Sequence, residues 1–292
     1  MKKFLFYILK VFLTGLVLAY AIAEFSFWSL RRGNFYKPSF VENSIKEKEV
    51  DYIILGASTA LTGIDTKLLD SLTGLKGYNL AIDDTGLPNN YLMLQHFLNT
   101  DHQTKKVILV PTLSSLKETS GTLGDNDYRF LMYNKRGYTH NYYDELENGD
   151  RFPVLSSTKY LPFLGISYYN VELFFPSLVS ALKPKKHNRF DEVGDYTYPS
   201  RKFKSSKEFE TKKIDFKNDY FQRIVATCQS NSIELLVYFP PIYNTEIYWE
   251  SSTLEILNLT NALKETKYFY DEIHVNTLGK TGATKKIAEK IN

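Results

Sequence analysis

Val50-Asp51-Tyr52-Ile53-Ile54-Leu55-Gly56-Ala57-Ser58-Thr59 is a short, mostly apolar run that empties into four small residues. The run reads as a strand buried on both faces, and the small residues as a tight turn leaving it. The same alternation continues outward. Asp65 is placed to cap a helix through Leu68, Leu69 and Leu72, which Gly74 stops. Tyr78-Asn79-Leu80-Ala81-Ile82 reads as a second strand. Gly86-Leu87-Pro88 opens a helix with Tyr91, Leu94, Gln95 and Leu98 at helical spacing, and Val107-Ile108-Leu109-Val110 is a third strand closed by Pro111. Phe216, Tyr220, Ile224 and Cys228 share a helix face. Ile233 to Phe239 is a strand ended by Pro240-Pro241, and a last helix carries Leu278, Ile287, Ala288 and Ile291. Strand–helix alternation predicts an α/β fold with a parallel central sheet and helices on both faces. Active sites in such folds gather at the carboxyl ends of the strands. Ser58, Asp84, Thr112, Pro240 and His274 all follow expected strand ends.

The chain has 292 residues, room for one large domain or two small ones at about 150 residues each. Two segments fall outside the alternation. Residues 1–32 begin Met1-Lys2-Lys3 and run apolar from Phe4, with Lys10 the one charge before Glu24; apolar character resumes in Phe25, Phe27, Trp28 and Leu30 and stops at Arg31-Arg32. A positive start before an apolar run of bilayer length is a signal or an anchor. Resumption after Glu24 favours an uncleaved anchor with residues 4–30 in lipid and Phe25, Phe27 and Trp28 as an interfacial belt. The alternative is secretion after cleavage near Ala23, at Ala21-Ile22-Ala23. Either way the expected location of residues 33–292 is outside the cytoplasm. Within that domain, residues 116–213 lose the rhythm and hold nearly half of the 22 tyrosines, an expected insertion or lid. Its Tyr128, Tyr133, Tyr138, Tyr142 and Tyr143 read as packing residues ahead of sugar-stacking ones. Lys202 to Lys217, mixed in charge, reads as a solvated helix face.

Ser58 sits where a nucleophilic hydroxyl must be, exposed at a turn whose backbone N–H groups face an oxyanion. A serine needs a base, and the base needs an orienting acid. Asp271 and His274, three residues apart, offer both on one loop. Without Gly-x-Ser-x-Gly this is not the nucleophile elbow of an α/β-hydrolase.

These residues resemble a known superfamily. Gly56-Ala57-Ser58-Thr59 is similar to the first block of the SGNH/GDSL hydrolases, and Asp271-Glu272-Ile273-His274 to their terminal Asp-x-x-His block. Tyr78 to Gly86 stands where the second block falls. The resemblance covers about Val50 to Ser114 and Asp215 to Asn292. It implies a flavodoxin-like three-layer sandwich and a catalytic Ser58, His274 and Asp271. It also implies an oxyanion hole from the backbone N–H groups of Ser58 and Asp84, with Gly86 in the glycine's place if the turn is longer. Membrane-anchored members with inserts form a cell-envelope branch, alginate O-acetyltransferase-like or lipoteichoic acid D-alanylation protein-like. That branch implies ester hydrolysis or O-acyl transfer on envelope polysaccharide, beside a membrane-bound O-acyltransferase. Two departures stand out. Asp84 occupies the second-block glycine position, and Val110-Pro111-Thr112-Leu113 replaces the third-block Gly-x-Asn-Asp. They support the alternative of a weak or inert SGNH-like scaffold that binds polymer or partners an acyltransferase.

Other classes find little support. A net charge of +3 is small for nucleic-acid binding. One cysteine, Cys228, forms no internal disulfide and reads as a small apolar residue. His96, His102, His140 and His187 have no metal-ligand spacing, Asp83-Asp84 reads as turn chemistry, and no phosphate or dinucleotide loop occurs. No cofactor and no metal are expected.

Overall fold

Five parallel strands make the central sheet of the computed structural model, which describes residues 1–291. In chain order the strands are β1 (Glu49–Gly56), β2 (Gly77–Asn79), β3 (Gln103–Val110), β4 (Glu210–Lys213), β5 (Glu234–Phe239), β6 (Thr245–Tyr248) and β7 (Glu255–Asn258). The sheet runs β2-β1-β3-β5-β7, and β4 and β6 form a separate two-stranded parallel ribbon. Central β1 is the expected buried run: Tyr52, Ile53, Ile54 and Leu55 are fully buried, which in a strand means that both faces are covered. Tyr52 and Ile54 pack with Ile108, Val110, Leu236 and Tyr238 under Leu61, Leu69, Ala283 and Ile287. That layer comes from the helices Ser58–Gly63, Thr66–Thr73 and Thr277–Ile291. The chain steps from β1 outward to β2, then returns across β1 to β3 and β5. Right-handed crossovers put the helices of the two directions on opposite faces. Helices Leu87–Asn99 and Asp219–Ser230 belong to the return direction and pack on β1, β5 and each other. The order therefore reverses between β1 and β3, where an α/β sheet opens a crevice at its carboxyl edge.

Local signals were read correctly where a cap or a run defined them. Asp65 Oδ1 accepts from Leu68 N at 3.0 Å, and Gly74 closes the same helix in the left-handed region. Cys228 is buried in the helix Asp219–Ser230. The expected helix face at Lys202–Lys217 is a correction: that stretch is irregular, then forms β4. The ribbon satisfies its charges across short distances, with Lys207 and Lys212 on the Glu210 carboxylate at 2.9 and 2.7 Å, and exposure alternates residue by residue.

The chain divides into two compact units. Residues 44–127 and 189 onward carry both sheets; residues 1–43 and 128–188 are helical. The expected insertion at 116–213 is thus shared, with 128–188 in the helical unit. That unit is built on the N-terminal helix Lys2–Arg32, whose Ala23, Ser26, Phe27, Ser29 and Leu30 are buried while residues 4–22 are almost all exposed. The helix is long and apolar enough to cross a membrane. Its last turns pack against Pro162–Tyr168 and Phe175–Leu182. Ser29 Oγ donates to Ser177 O at 2.6 Å, and Asn34 N to Pro184 O at 2.7 Å. Tyr128, Tyr133, Tyr142 and Tyr143 are interior residues of this unit.

Candidate active site

Gly56 ends β1 because nothing larger fits there. A Cβ would stand 2.5 Å from the Ala60 Cβ and 2.7 Å from the Val110 carbonyl, at φ +157°. The close approach turns the chain sharply, Ala57 caps, and Ser58 becomes the first residue of a short helix. First-turn N–H groups have no partner within their own helix, so the Ser58 backbone is a ready donor.

The loop after Tyr268 brings base and acid to that hydroxyl. Tyr270 N and Asp271 N bond back to His274 O at 2.8 and 3.4 Å, and Phe269 bridges Val275. Asn276, fully buried, donates to Lys267 O and Phe269 O while its Oδ1 accepts from Leu278 N and Gly279 N. It pins the loop to the start of the last helix. Inside the turn, Asp271 Oδ1 accepts from Ile273 N and His274 N at 3.0 and 2.9 Å. The imidazole Nδ1 lies 2.9 Å from Asp271 Oδ2, and Nε2 lies 2.8 Å from Ser58 Oγ. Burial raises the Asp271 carboxyl, but the hydrogen bonds from the His274 ring and from the Ile273 and His274 backbone outweigh it. The net result is a carboxyl held below its ordinary value. Ser58, His274 and Asp271 are thus brought into one relay.

The remaining sequence candidates reach the same edge without joining the relay. Beyond β2 the chain stays beside β1, with Leu80 N on Ile54 O at 2.9 Å and Ile82 N on Gly56 O at 3.1 Å. Asp84 follows in the left-handed region at φ 52°. Gly56 pairs with Val110 in register, so Ser58 and Thr112 each stand two residues beyond paired strand ends. A cavity of about 320 Å³ opens at this edge, lined by Asp84, Thr85, Gly86, Thr112, Ser115 and Asn218 among others. Thr112 Oγ1 is 2.6 Å from Ser115 Oγ. Pro240 stands against Gly63, at the end of the Ser58 helix. Among the described residues no group of three His, Cys, Asp or Glu side chains is arranged to hold a metal.

Sequence reading missed Tyr198. Its ring meets the His274 ring edge-on at 5.3 Å between centroids and stacks on Tyr270 at 4.1 Å and 9°. Arg201 covers the Tyr270 ring at 3.6 Å and donates Nε to Tyr270 O. Burial, then the Asp271 charge, push the Tyr198 phenol upward. Tyr198 is carried in by a buried network. Asp195 accepts from Thr66 N, Thr66 Oγ1 and Asn79 Nδ2 at 2.7, 2.8 and 3.0 Å. Lys280 Nζ, 3.7 Å from Asp195, donates to Tyr196 O and Thr197 Oγ1. Burial raises the Asp195 carboxyl against the pull of Lys280. The partners lie far apart in sequence, so no local pattern announces them.

No family model matches the chain, and no curated protein matches it.

Proposed function

We propose that the sheet unit is a serine acyl-ester hydrolase or O-acyltransferase of the SGNH type, acting on cell-envelope polysaccharide through an acyl-Ser58 intermediate. The observation that carries this reading is the contact of 2.8 Å between Ser58 Oγ and His274 Nε2, with Asp271 on the opposite ring nitrogen. Nε2 takes the Ser58 proton as Oγ attacks an ester carbonyl. The imidazolium is stabilised by Asp271 and returns that proton to the departing alkoxide. Water, or a sugar hydroxyl, then gives a proton to His274 and attacks the acyl carbon; as the bond to Oγ breaks, His274 passes that proton to Oγ and the resting site is restored. The oxyanion takes hydrogen bonds from the Ser58 and Asp84 N–H groups, the latter presented by a left-handed turn. Losing one such donor costs on the order of a hundredfold in rate, so a two-donor hole suits a slow enzyme.

The strand order supports the finer fold reading. Counting the sheet's own strands, β2-β1-β3-β5-β7 is the 2-1-3-4-5 order of flavodoxin-like sheets. The cavity at the carboxyl edge is lined by Asp84 and Gly86 and not by Ser58, Asp271 or His274; its hydroxyls and carboxylates favour a hydroxyl-rich group held on the Asp84 side of the site. The N-terminal helix supports an anchor, because Ala23 is buried within it and the helix runs on unbroken to Arg32; the sheet unit then works outside the cytoplasm. A second reading, an inert scaffold that binds envelope polymer or partners a membrane-bound O-acyltransferase, is favoured by Asp84, which lines the cavity from the oxyanion position.

The test is a serine-directed fluorophosphonate applied to the full chain in lipid vesicles, with peptide mapping and the Ser58→Ala and His274→Ala variants. An adduct on Ser58 that requires His274 supports the enzyme. A folded chain that takes none leaves the scaffold.

A further inference from the structure

The last helix of the run from Pro162 to Leu182, Phe175–Leu182, is built inside out. Its inward face is small: Pro176, Ser177 and Ser180 are buried, with Ser177 and Ser180 against Ser29 and Gly33 of the N-terminal segment, whereas the turns before it bury the larger Ile166 and Leu173. Its outward residues Phe175, Leu178 and Leu182 are large and apolar, 58, 38 and 82% exposed; upstream, Tyr168 and Val171 are 66 and 61% exposed beside the exposed polar Ser167, Asn170 and Glu172. Phe175, Leu178 and Leu182 follow one another at spacings of three and four residues, one side of an α-helix; Tyr168 closes the preceding helix and Val171 lies in the π-helical turn Asn170–Phe174 that joins the two. A helix in water hides such a stripe and shows its serines to solvent; an apolar environment reverses the preference.

Three observations say what that environment is. The run packs beside the last turns of Lys2–Arg32, the helix apolar enough to span a bilayer, whose most apolar window has no buried residue. The exit turns of that helix likewise expose large apolar residues, Ile22, Phe25 and Trp28. Directly after Leu182 come Lys183, Lys185 and Lys186, all exposed and with no acidic residue among them. Apolar side chains at the acyl boundary with lysines beside the headgroups are how an interfacial helix holds an anionic leaflet.

We propose that Tyr168–Leu182 is a second, non-spanning membrane contact: an interfacial helix that seats the helical unit in the leaflet where the N-terminal helix emerges. The inference rests on that helix being a retained anchor and is independent of any chemistry at Ser58.

The experiment uses the full chain in vesicles of phosphatidylcholine and phosphatidylglycerol. Spin labels are placed through Phe175→Cys, Leu178→Cys and Leu182→Cys in a Cys228→Ser background, with Leu278→Cys on the sheet unit as the aqueous control. The expected result is high accessibility to oxygen and protection from a water-soluble nickel chelate, the oxygen-to-nickel ratio at 175 and 178 several-fold above that at 278. Ready access by nickel overturns the proposal in favour of a face in water. Protection from both reagents overturns it in favour of a protein partner or a second copy. The unsubstituted chain provides a measurement that no variant's folding can spoil: photolysis with a phospholipid carrying a diazirine in its acyl chain. Adducts in both residues 4–22 and 168–182 support the proposal. Adducts confined to 4–22 refute the seat and keep the anchor. Adducts in neither refute the anchor itself.

Discussion

In the proposed mechanism Asp271 does two things for His274: it selects the tautomer that leaves Nε2 free to accept, and it stabilises the charge that follows proton transfer. Asp271→Asn keeps the shape and loses both. Under the proposed mechanism it slows fluorophosphonate labelling of Ser58 by roughly a thousandfold or more, measured as adduct mass against time with the circular dichroism spectrum unchanged. The same residue leaves a mark on stability. Because its folded-state value lies below that of a free carboxyl, its stabilising contribution is present above the ordinary carboxylate value and is lost as pH falls through the folded one. Curves of stability against pH for the parent chain and for the Asp271→Asn variant therefore converge at the acid end, read by denaturant melts. Tyr198 works through its ring, since its recorded contacts with His274 and Tyr270 are aromatic. Tyr198→Phe keeps the labelling rate, whereas Tyr198→Ala lowers it several-fold by loosening the imidazole; equal losses in both would move the role to the hydroxyl.

Gly56 shows how an element's end is set by a single residue. Adding a methyl group there drives it into Ala60 and the Val110 carbonyl, so Gly56→Ala destabilises the chain by roughly 2–4 kcal/mol, measured by urea midpoint. On the next helix, Asp70 accepts from the Tyr52 hydroxyl at 2.5 Å. Burial, only partly offset by that bond, lifts its carboxyl from 3.8 to about 6. The folded chain therefore holds a proton that the unfolded chain has lost, and stability rises as pH falls from about 6 toward 4. The rise is about 1–2 kcal/mol once solvent screening of a half-buried group is allowed for. Asp70→Asn removes that slope; a thermal series that keeps it assigns the proton to another group. The elements legible in sequence were those with a continuous apolar run or a capped end, as in β1, β3, β5 and the helix from Thr66. The edge strand β7, with only Ile256 and Leu257 as its apolar pair, and the charged ribbon strand β4 carry no such run, because pairing and not burial forms them. Ser58, Asp271 and His274 were legible because two of them share a turn and the third follows the clearest strand. Tyr198 was not, because Asp195, Thr66, Asn79 and Lys280 must first fold around it.

For the whole chain, retention of the N-terminus is the sharpest expectation. Cleavage after Ala23 would remove a residue buried in the helical unit together with the whole of the span before it. Protein extracted from membranes is expected to retain residues 4–23 by peptide mapping; a chain beginning at Glu24 would make it a secreted protein. The uninterrupted passage of Lys2–Arg32 from its exposed apolar turns into the packed interior of the helical unit also has a mechanical consequence. A slack linker after a span would act as a swivel, decoupling whatever lies outside from the lie of the lipid. Here the shaft is also an axle of the fold. A span longer than its bilayer tilts to fit; as the retained anchor proposed above, this helix could not lean without carrying the helical unit with it, and bilayer thickness would then set the attitude of that unit at the leaflet.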